Sequence, residues 1–336
     1  MNPISPRRSM LALALAAACG IAAAQTARAP ARAPAAEPWP TKPIRLLVGF
    51  PGGSTPDLVA RTIAEPLSKA LGQPVVVENR PGAGGNIAAD LVAKSTDNHT
   101  IGVMINGNMT IAKLLNPQTP FDPLKDLAPI SLIGTAPLLL TAPANAPGNN
   151  AQDFFLAARN AGNKWSYGTP GVGTVGHIGM ELLKTRTNID PVHVPYPGNP
   201  QVINAMIAGQ IHLSLLPPGL AAAQIRAGRL KAIGVTSVSR SPLVPEYPSL
   251  DETGAARNFQ LEIWTAAAGP ASMPRPIVNK LSSLISEIAR SAEVRQKLFQ
   301  QGWQVAGTSA EGLANRIKAD TALLGGVIQM RNIKAE

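Results

Sequence analysis

At 336 residues, 45% hydrophobic and 15% charged, the chain has a globular composition and enough length for two domains. Past the first 25 or so positions no apolar run reaches the roughly 18 residues that a membrane-crossing helix needs. The formal charge of +10 favours anionic partners. Past Arg8, however, no two basic residues are adjacent and aromatics make up only 4%, which excludes the phosphate tracks and stacking platforms of a nucleic-acid binder.

The N-terminus carries Arg7 and Arg8, an apolar stretch from Leu11 to Ala24, and Ala22-Ala-Ala24 before Gln25. This three-part pattern predicts a secretory signal over 1–24 and a periplasmic protein. The single cysteine, Cys19, lies inside the signal, so cleavage after Ala24 leaves no thiol for a disulfide or a nucleophile. Lipidation of Cys19 is the lesser alternative, because a lipoprotein signal prefers Leu where Ala16 stands. Residues 25–38, rich in Ala, Pro and Arg, read as a flexible linker.

From Lys42 onward, strand, glycine turn and helix alternate. The apolar run 44–50 predicts a strand, followed by a helix from Pro56 to Leu71 that stops at Gly72. A strand over 75–78, a helix over 86–94 and a strand over 100–105 follow. After the apolar run 132–141 and a break at 143–150, the alternation restarts. Helices are predicted at 151–160, 174–185, 200–208 and 219–227, and strands at 164–168, 192–194, 211–216 and 230–236. A strand over 260–268 then precedes a mostly helical end, where Thr308 and Glu311 form a capping-box pair. Such alternation argues for an α/β fold with mostly parallel sheets. The runs 132–141 and 230–236 are the candidates for strands that cross between lobes. That gives one lobe of 39–138 plus 238–336, a second of 139–237, and a cleft between them.

Four polar turns sit at strand-to-helix junctions. In Phe50-Pro-Gly-Gly-Ser-Thr-Pro-Asp57, Thr55 has cap chemistry, Pro56 suits the first helical position, and Asp57 either faces a ligand or pairs with Arg61. The turns at Pro81–Asn86 and Tyr196–Pro200 read first as tight connections, with Asn86 able to cap the next helix. In Tyr167-Gly-Thr-Pro-Gly-Val-Gly-Thr-Val-Gly-His177, Gly171, Gly173 and Gly176 spell the spacing of a dinucleotide fingerprint. The nearest acid at the required offset, Asp190, falls in a loop rather than at a strand end. Anion binding by backbone N–H groups with the Thr169 and Thr174 hydroxyls needs no such acid. No catalytic motif, metal spacing or cofactor signature emerges, and no cofactor is expected.

These residues carry a resemblance. Trp39-Pro-Thr-Lys-Pro-Ile-Arg-Leu-Leu-Val-Gly-Phe50, Leu71-Gly-Gln-Pro-Val-Val-Val-Glu-Asn-Arg-Pro-Gly-Ala-Gly-Gly-Asn86, Phe121-Asp-Pro-Leu-Lys-Asp126, Tyr167-Gly-Thr-Pro-Gly-Val-Gly173 and His193-Val-Pro-Tyr196 resemble the Bug family, the periplasmic receptors of tripartite tricarboxylate transporters. The resemblance implies a monomeric, two-lobed α/β periplasmic binding protein without enzymatic activity. Such a protein closes on a small organic carboxylate and serves membrane permease subunits or, alternatively, a membrane sensor. By position it implies ligand contacts from Gly52, Gly53, Ser54, Thr55 and Asp57 in one lobe, with Asn106 after the third strand. From the other lobe it implies Thr169, Gly171, Val172, Gly173, Thr174, His177 and Asn199. The chain departs from the pattern twice. One residue rather than two precedes Gly52-Gly53 and Pro56 stands before Asp57, which moves the donors. Leu215-Leu-Pro-Pro218 replaces a segment that in many relatives carries an Asp for amino-acid ligands, which favours a carboxylate without an ammonium group.

Overall fold

Apolar strand, glycine turn and amphipathic helix alternate from Ile44 onward in the computed structural model, which describes residues 39–331, 333 and 334. The expected signal, the linker 25–38 and Cys19 lie outside the described residues. The first elements are β1 (Ile44–Val48), α1 (Thr55–Leu71), β2 (Val75–Asn79), α2 (Asn86–Ala93), β3 (Thr100–Ile105), α3 (Asn106–Thr110) and α4 (Ala112–Leu115). Helix α1 forms because Val59, Ile63 and Leu67 recur every fourth residue and bury one stripe completely. It stops at Gly72, whose φ of 68° lets its amide bond back to the Ser68 carbonyl. Its cap is Ser54 rather than the expected Thr55, and α2 likewise starts at Asn86 behind Gly85 instead of being capped by Asn86.

The chain continues through β4 (Leu127–Pro137), β5 (Leu139–Pro143), α5 (Ala151–Ala161), β6 (Ser166–Thr169), α6 (Val175–Thr187), β7 (Val192–Pro195), α7 (Asn199–Ile207), β8 (Ser214–Leu216), α8 (Pro218–Arg226) and β9 (Leu230–Val235). It returns through β10 (Glu262–Pro270), α9 (Arg275–Arg290), α10 (Ala292–Gln300), β11 (Gln304–Val305) and α11 (Ala310–Arg331). The cap of α11 is also one residue from expectation: Ser309 Oγ accepts from the Gly312 amide, while Thr308 Oγ1 accepts from the Leu132 amide of β4.

The first lobe is a six-stranded sheet in the order β11-β4-β10-β3-β1-β2. Its β2-β1-β3 half is parallel and its β3-β10-β4-β11 half antiparallel. Leu47, Met104, Phe121, Trp264 and Leu313 meet in its core. The second lobe holds the antiparallel sheet β8-β5-β9 and the parallel pair β6-β7, packed around Phe154, Phe155, Tyr167, Met180 and Leu213. Together they form a two-lobed α/β fold.

The apolar run 132–141 divides into β4 and β5, which belong to different sheets with only Leu138 between them. The run 230–236 behaves differently. β9 stays in the second sheet, and Ser249 clips the following passage to its end through Val235 N to Pro248 O and Leu250 N to Val235 O, 2.9 and 2.8 Å. Val244, Leu250, Phe259 and Leu261 therefore pack in second-lobe cores, although the sequence pattern assigns 238–261 to the first lobe. The return crossing falls at Leu261-Glu262. Both crossings hang on Thr236, which is fully buried. Its hydroxyl accepts from Leu138 N at 2.8 Å and donates to Leu261 O at 2.7 Å. Its backbone bonds the same two residues, to Leu138 O at 2.8 Å and from Leu261 N at 2.9 Å.

Thr236→Val keeps the shape but leaves a buried amide and a buried carbonyl without that hydroxyl. Urea unfolding is expected to show a loss of about 2–4 kcal/mol. A loss below about 0.5 kcal/mol, typical of a surface change, means that the hydroxyl does not hold the crossings.

Candidate functional site

Three helices start at the interface between the lobes: α1 from the first, α6 and α7 from the second. Their starts surround a narrow chamber of about 40 Å³. Among the predicted residues, Ser54, Thr55, Thr174 and Asn199 line it, and all four are buried. Phe50, Ile105, Leu138, Val175, Leu215 and Ile263 supply apolar walls. Among the described residues, no ionisable side chain lines this chamber.

Three of its lining residues carry polar atoms without partners. Ser54 Oγ, Asn199 Oδ1 and the indole Nε1 of Trp303 are buried and unbonded among the described residues, and all three residues line the chamber. A buried polar atom left unbonded is costly, so three among the lining residues call for a polar guest or water to satisfy them. Asn199 Nδ2 reaches across the lobes to Thr55 Oγ1, a long contact of 3.5 Å. The first-turn amides of α1 and α6 precede their first intrahelical bonds, Leu58 N to Ser54 O and Ile178 N to Thr174 O, and so remain available to an anion.

Outside this chamber lies a wider cleft, where Gly171, Val172 and Gly173 face Gly82, Gly84, Gly107 and Asn108. The lobes approach here backbone to backbone. A Cβ on Gly84 would lie 2.5 Å from Val172 O, one on Gly107 2.4 Å from Gly173 O, and one on Gly198 3.0 Å from Pro51 Cδ. The two lobes are thus closed against each other. The turn at Pro81–Asn86, read from sequence as a connection, forms one lip of the mouth.

Several predicted residues brace the turns from behind. The Asp57 carboxylate accepts from Gly53 N at 2.9 Å and Asn79 Nδ2 at 2.8 Å, and pairs with Arg61 at 3.0 Å. Its oxygens are occupied, and it does not line the chamber. Burial works against its charge, but the bonds from Arg61, Asn79 and Gly53 outweigh it and hold the carboxyl below its usual range. Asn79, which carries no signal in the sequence, also donates to Phe50 O at 2.9 Å and fixes the turn at its other end. Gly52 and Gly53 are exposed at the tip, and the Gly53 amide is turned to Asp57. Asn106 lies next to the lining Ile105 with its Nδ2 on Glu262 O and its Oδ1 buried and unbonded.

The Tyr167–His177 turn is braced in the same way. Thr169 Oγ1 bonds the Gly171 backbone and sits 2.7 Å from His193 Nε2, so it is spent inside the turn. Thr174 Oγ1 donates to Gly171 O at 2.8 Å. His177 points away from the chamber into a separate surface pocket beside Glu181, Lys184, Asp190 and His193. It stacks on His193 at 4.3 Å, and its Nδ1 accepts from Gly173 N at 3.4 Å. Asp190, the acid at the dinucleotide offset, pairs with Lys184 at 3.3 Å in that pocket. Trp303, between α10 and β11, carried no sequence signal. A tryptophan near the end of the chain reads as core until its indole N–H is found buried and unbonded.

The family model described as the tripartite tricarboxylate transporter family receptor matches residues 59–333. A UPF0065 protein of Pseudomonas sp. (strain P51), encoded in the tcbD-tcbE intergenic region, is 34% identical over 284 residues, 84% of each chain. MatC of Rhodopseudomonas palustris, solved with bound malate, superposes with a TM-score of 0.82 at 30% identity, over 86% of this chain and all of that one. Rpa4515 of R. palustris with adipate gives 0.84 at 29% identity, over 88% of this chain and 99% of that one.

Burial first, then the neighbouring His193 and Lys184, pushes the His177 imidazole down to about 3. The folded value lies below the ordinary 6.5, so the unfolded chain binds a proton that the folded chain refuses. Stability from this group is intact above about pH 6.5 and falls as pH drops from there toward about 3, by at most roughly 4–5 kcal/mol. His177→Gln should flatten that part of the stability curve in denaturant titrations across the range. A variant as steep as the wild type assigns the acid sensitivity to other groups.

Proposed function

The chain belongs to the tripartite tricarboxylate transporter receptor family, whose Bug-type members it resembles in sequence and fold, and on that premise we propose that it is an exported solute receptor for a small organic carboxylate. The observation that carries this reading is the neutral chamber at three converging helix starts, with its three unbonded buried polar atoms. Each helix start offers amide N–H groups and the positive end of its dipole to an anion. Ser54, Thr55, Thr174 and Asn199 add hydroxyl and amide groups from both lobes, so a ligand bound between them prefers the closed form.

Closure follows from that preference. A ligand shifts the balance between open and closed lobes only by its differential affinity, and contacts from both lobes exist together only when the lobes meet. The crossings at Leu138 and Leu261-Glu262 are the hinge in this reading. The closed form then docks on membrane permease subunits and delivers the acid. The basic, apolar and small-residue stretch from Arg7 to Ala24 supports a periplasmic location for the mature chain.

Thermal unfolding of the mature protein against a panel of mono-, di- and tricarboxylates tests the reading. A bound acid at 100 times its dissociation constant should add about 2.7 kcal/mol of stability. A panel in which no carboxylate shifts the transition overturns the reading. Gly107→Ala tests closure separately, because its Cβ would meet Gly173 O across the cleft. Affinity is expected to fall at least tenfold with the unliganded melting temperature nearly unchanged. Unaltered affinity means that the lips need not meet for binding.

A further inference from the structure

The C-terminal helix α11 is rooted in the first lobe, yet it ends against the second. We propose that its last turns are a latch, an apolar seat on α6 that holds the lobes together before any ligand binds.

One stripe of α11 carries the argument. Leu313, Ile317, Asp320, Leu324 and Ile328 follow one another at steps of three or four residues and so share a face. That face changes lobes partway along. Leu313 and Ile317 are buried in the first-lobe core with Phe121 and Trp264. Asp320 accepts from the Trp264 indole at 2.5 Å and pairs with Arg316 at 2.9 Å, and Arg316 reaches Glu262 at 3.1 Å. These bonds fasten the middle of the helix to β10 beside the return crossing. Further along, Leu324 and Ile328 are buried in a different cluster, with Ile111 and Leu115 of the first lobe and Ile178 of α6. Val172, from the glycine turn of the second lobe, packs against the same cluster. At 1.5 Å per residue the 22 residues of α11 span roughly 33 Å, enough to reach both lobes. Past the helix, Ile333 and Lys334 line the second-lobe pocket of His177, Glu181 and Lys184.

The seat exists only in the closed form. A rotation about Leu138 and Leu261-Glu262 carries α6 and Val172 with the second lobe, whereas Trp264 and Glu262 hold α11 to the first. Opening therefore returns Ile178, Leu324 and Ile328 to water, and apolar surface resists that in proportion to its area. No ligand atom takes part, so the contact favours closure whatever fills the chamber. It also raises the apparent affinity of any ligand that needs closed lobes, because that affinity scales with the closed fraction of the free protein.

The helix is weakest where the latch sits. Gly325 and Gly326 interrupt it there, and only proline forms helix less readily than glycine. Close packing accounts for the first, since a Cβ on Gly325 would lie 3.1 Å from Leu114 Cδ1. Gly326 is exposed and has no atom within 4 Å of such a Cβ. A stretch so poor in helix propensity is held by its seat, which suits an end that docks and releases.

Spin-label distances in the ligand-free protein test the latch. No cysteine follows Cys19, so Leu91→Cys on α2 and Asn204→Cys on α7, both exposed, place one label on each lobe. The wild-type background should show a populated short-distance, closed form. Ile328→Ala on the helix and Ile178→Ala on its seat should each reduce that fraction at least threefold. Leu323→Ala, the same kind of truncation on the exposed face of α11, should leave it unchanged. A wild type without a closed population, a fraction that holds in either folded variant, or an equal loss in Leu323→Ala overturns the proposal. If one of the two buried variants does not fold, the other decides. Because no ligand is added, the outcome is independent of whether a carboxylate binds, and failure of the receptor reading would show only in the acid panel.

Discussion

Everything at the interface depends on how closely two backbones can approach. Gly84 and Gly107 of one lobe lie so near the Val172 and Gly173 carbonyls of the other that a single Cβ would sit inside contact distance. Without that approach the starts of α1, α6 and α7 would not share one chamber, and Asn199 could not reach Thr55. The glycines of the Tyr167–His177 turn have a second duty: Gly171 and Gly173 hold φ values of 126° and 78°, which other residues rarely adopt. The spacing that mimics a dinucleotide fingerprint thus has a mechanical origin. It lets a turn bend sharply at a helix start and lets another backbone lie against it.

The distribution of charge follows from the same geometry. Ionisable groups near the turns are spent behind them, Asp57 with Arg61 and Asn79 on one side, His177 with His193 on the other. The front is left to neutral donors and helix dipoles. A turn braced from behind presents its amides at fixed positions, so little ordering cost falls on binding. It also keeps formal charge out of the chamber, where an unpaired one would be expensive when the site is empty.

Much of this was legible in the sequence, and the remainder was not for identifiable reasons. Strand and helix alternation, the glycine turns and the closing Gly72 are local signals of period and conformation, and most elements fall within a residue or two of expectation; the exceptions are β8, which starts three residues late, and the run 132–141, which divides into β4 and β5. The caps at Ser54 and Ser309 each differ by one position because neighbouring Ser and Thr share the same capping chemistry, and the tertiary bond from Leu132 N claims Thr308. Where a side chain points is another matter. Asp57 and His177 stand beside the chamber in sequence and turn from it in space, because Asn79 and His193, far along the chain, offer them partners. Trp303 and Thr236 were invisible for the same reason: their roles are set by residues distant along the chain or by a cavity that no local pattern encodes. The passage 238–261 went to the wrong lobe because its attachment, at Val235 and Ser249, is a tertiary clip rather than a strand pattern.

The hinge and the chamber share residues, and that ties recognition to motion. Leu138 bonds Thr236 through both its N–H and its carbonyl, and its side chain lines the chamber. Ile263, one residue past the return crossing at Leu261-Glu262, lines it too. Under the proposed receptor reading, a ligand group resting on Leu138 and Ile263 would touch the pivot itself, while a carboxylate would engage the turns of both lobes. Contacts at the pivot change little as the lobes swing, whereas contacts at the helix starts form only on closure. In the proposed receptor the first set would hold the ligand in either state, and the second would supply the differential affinity that moves the equilibrium.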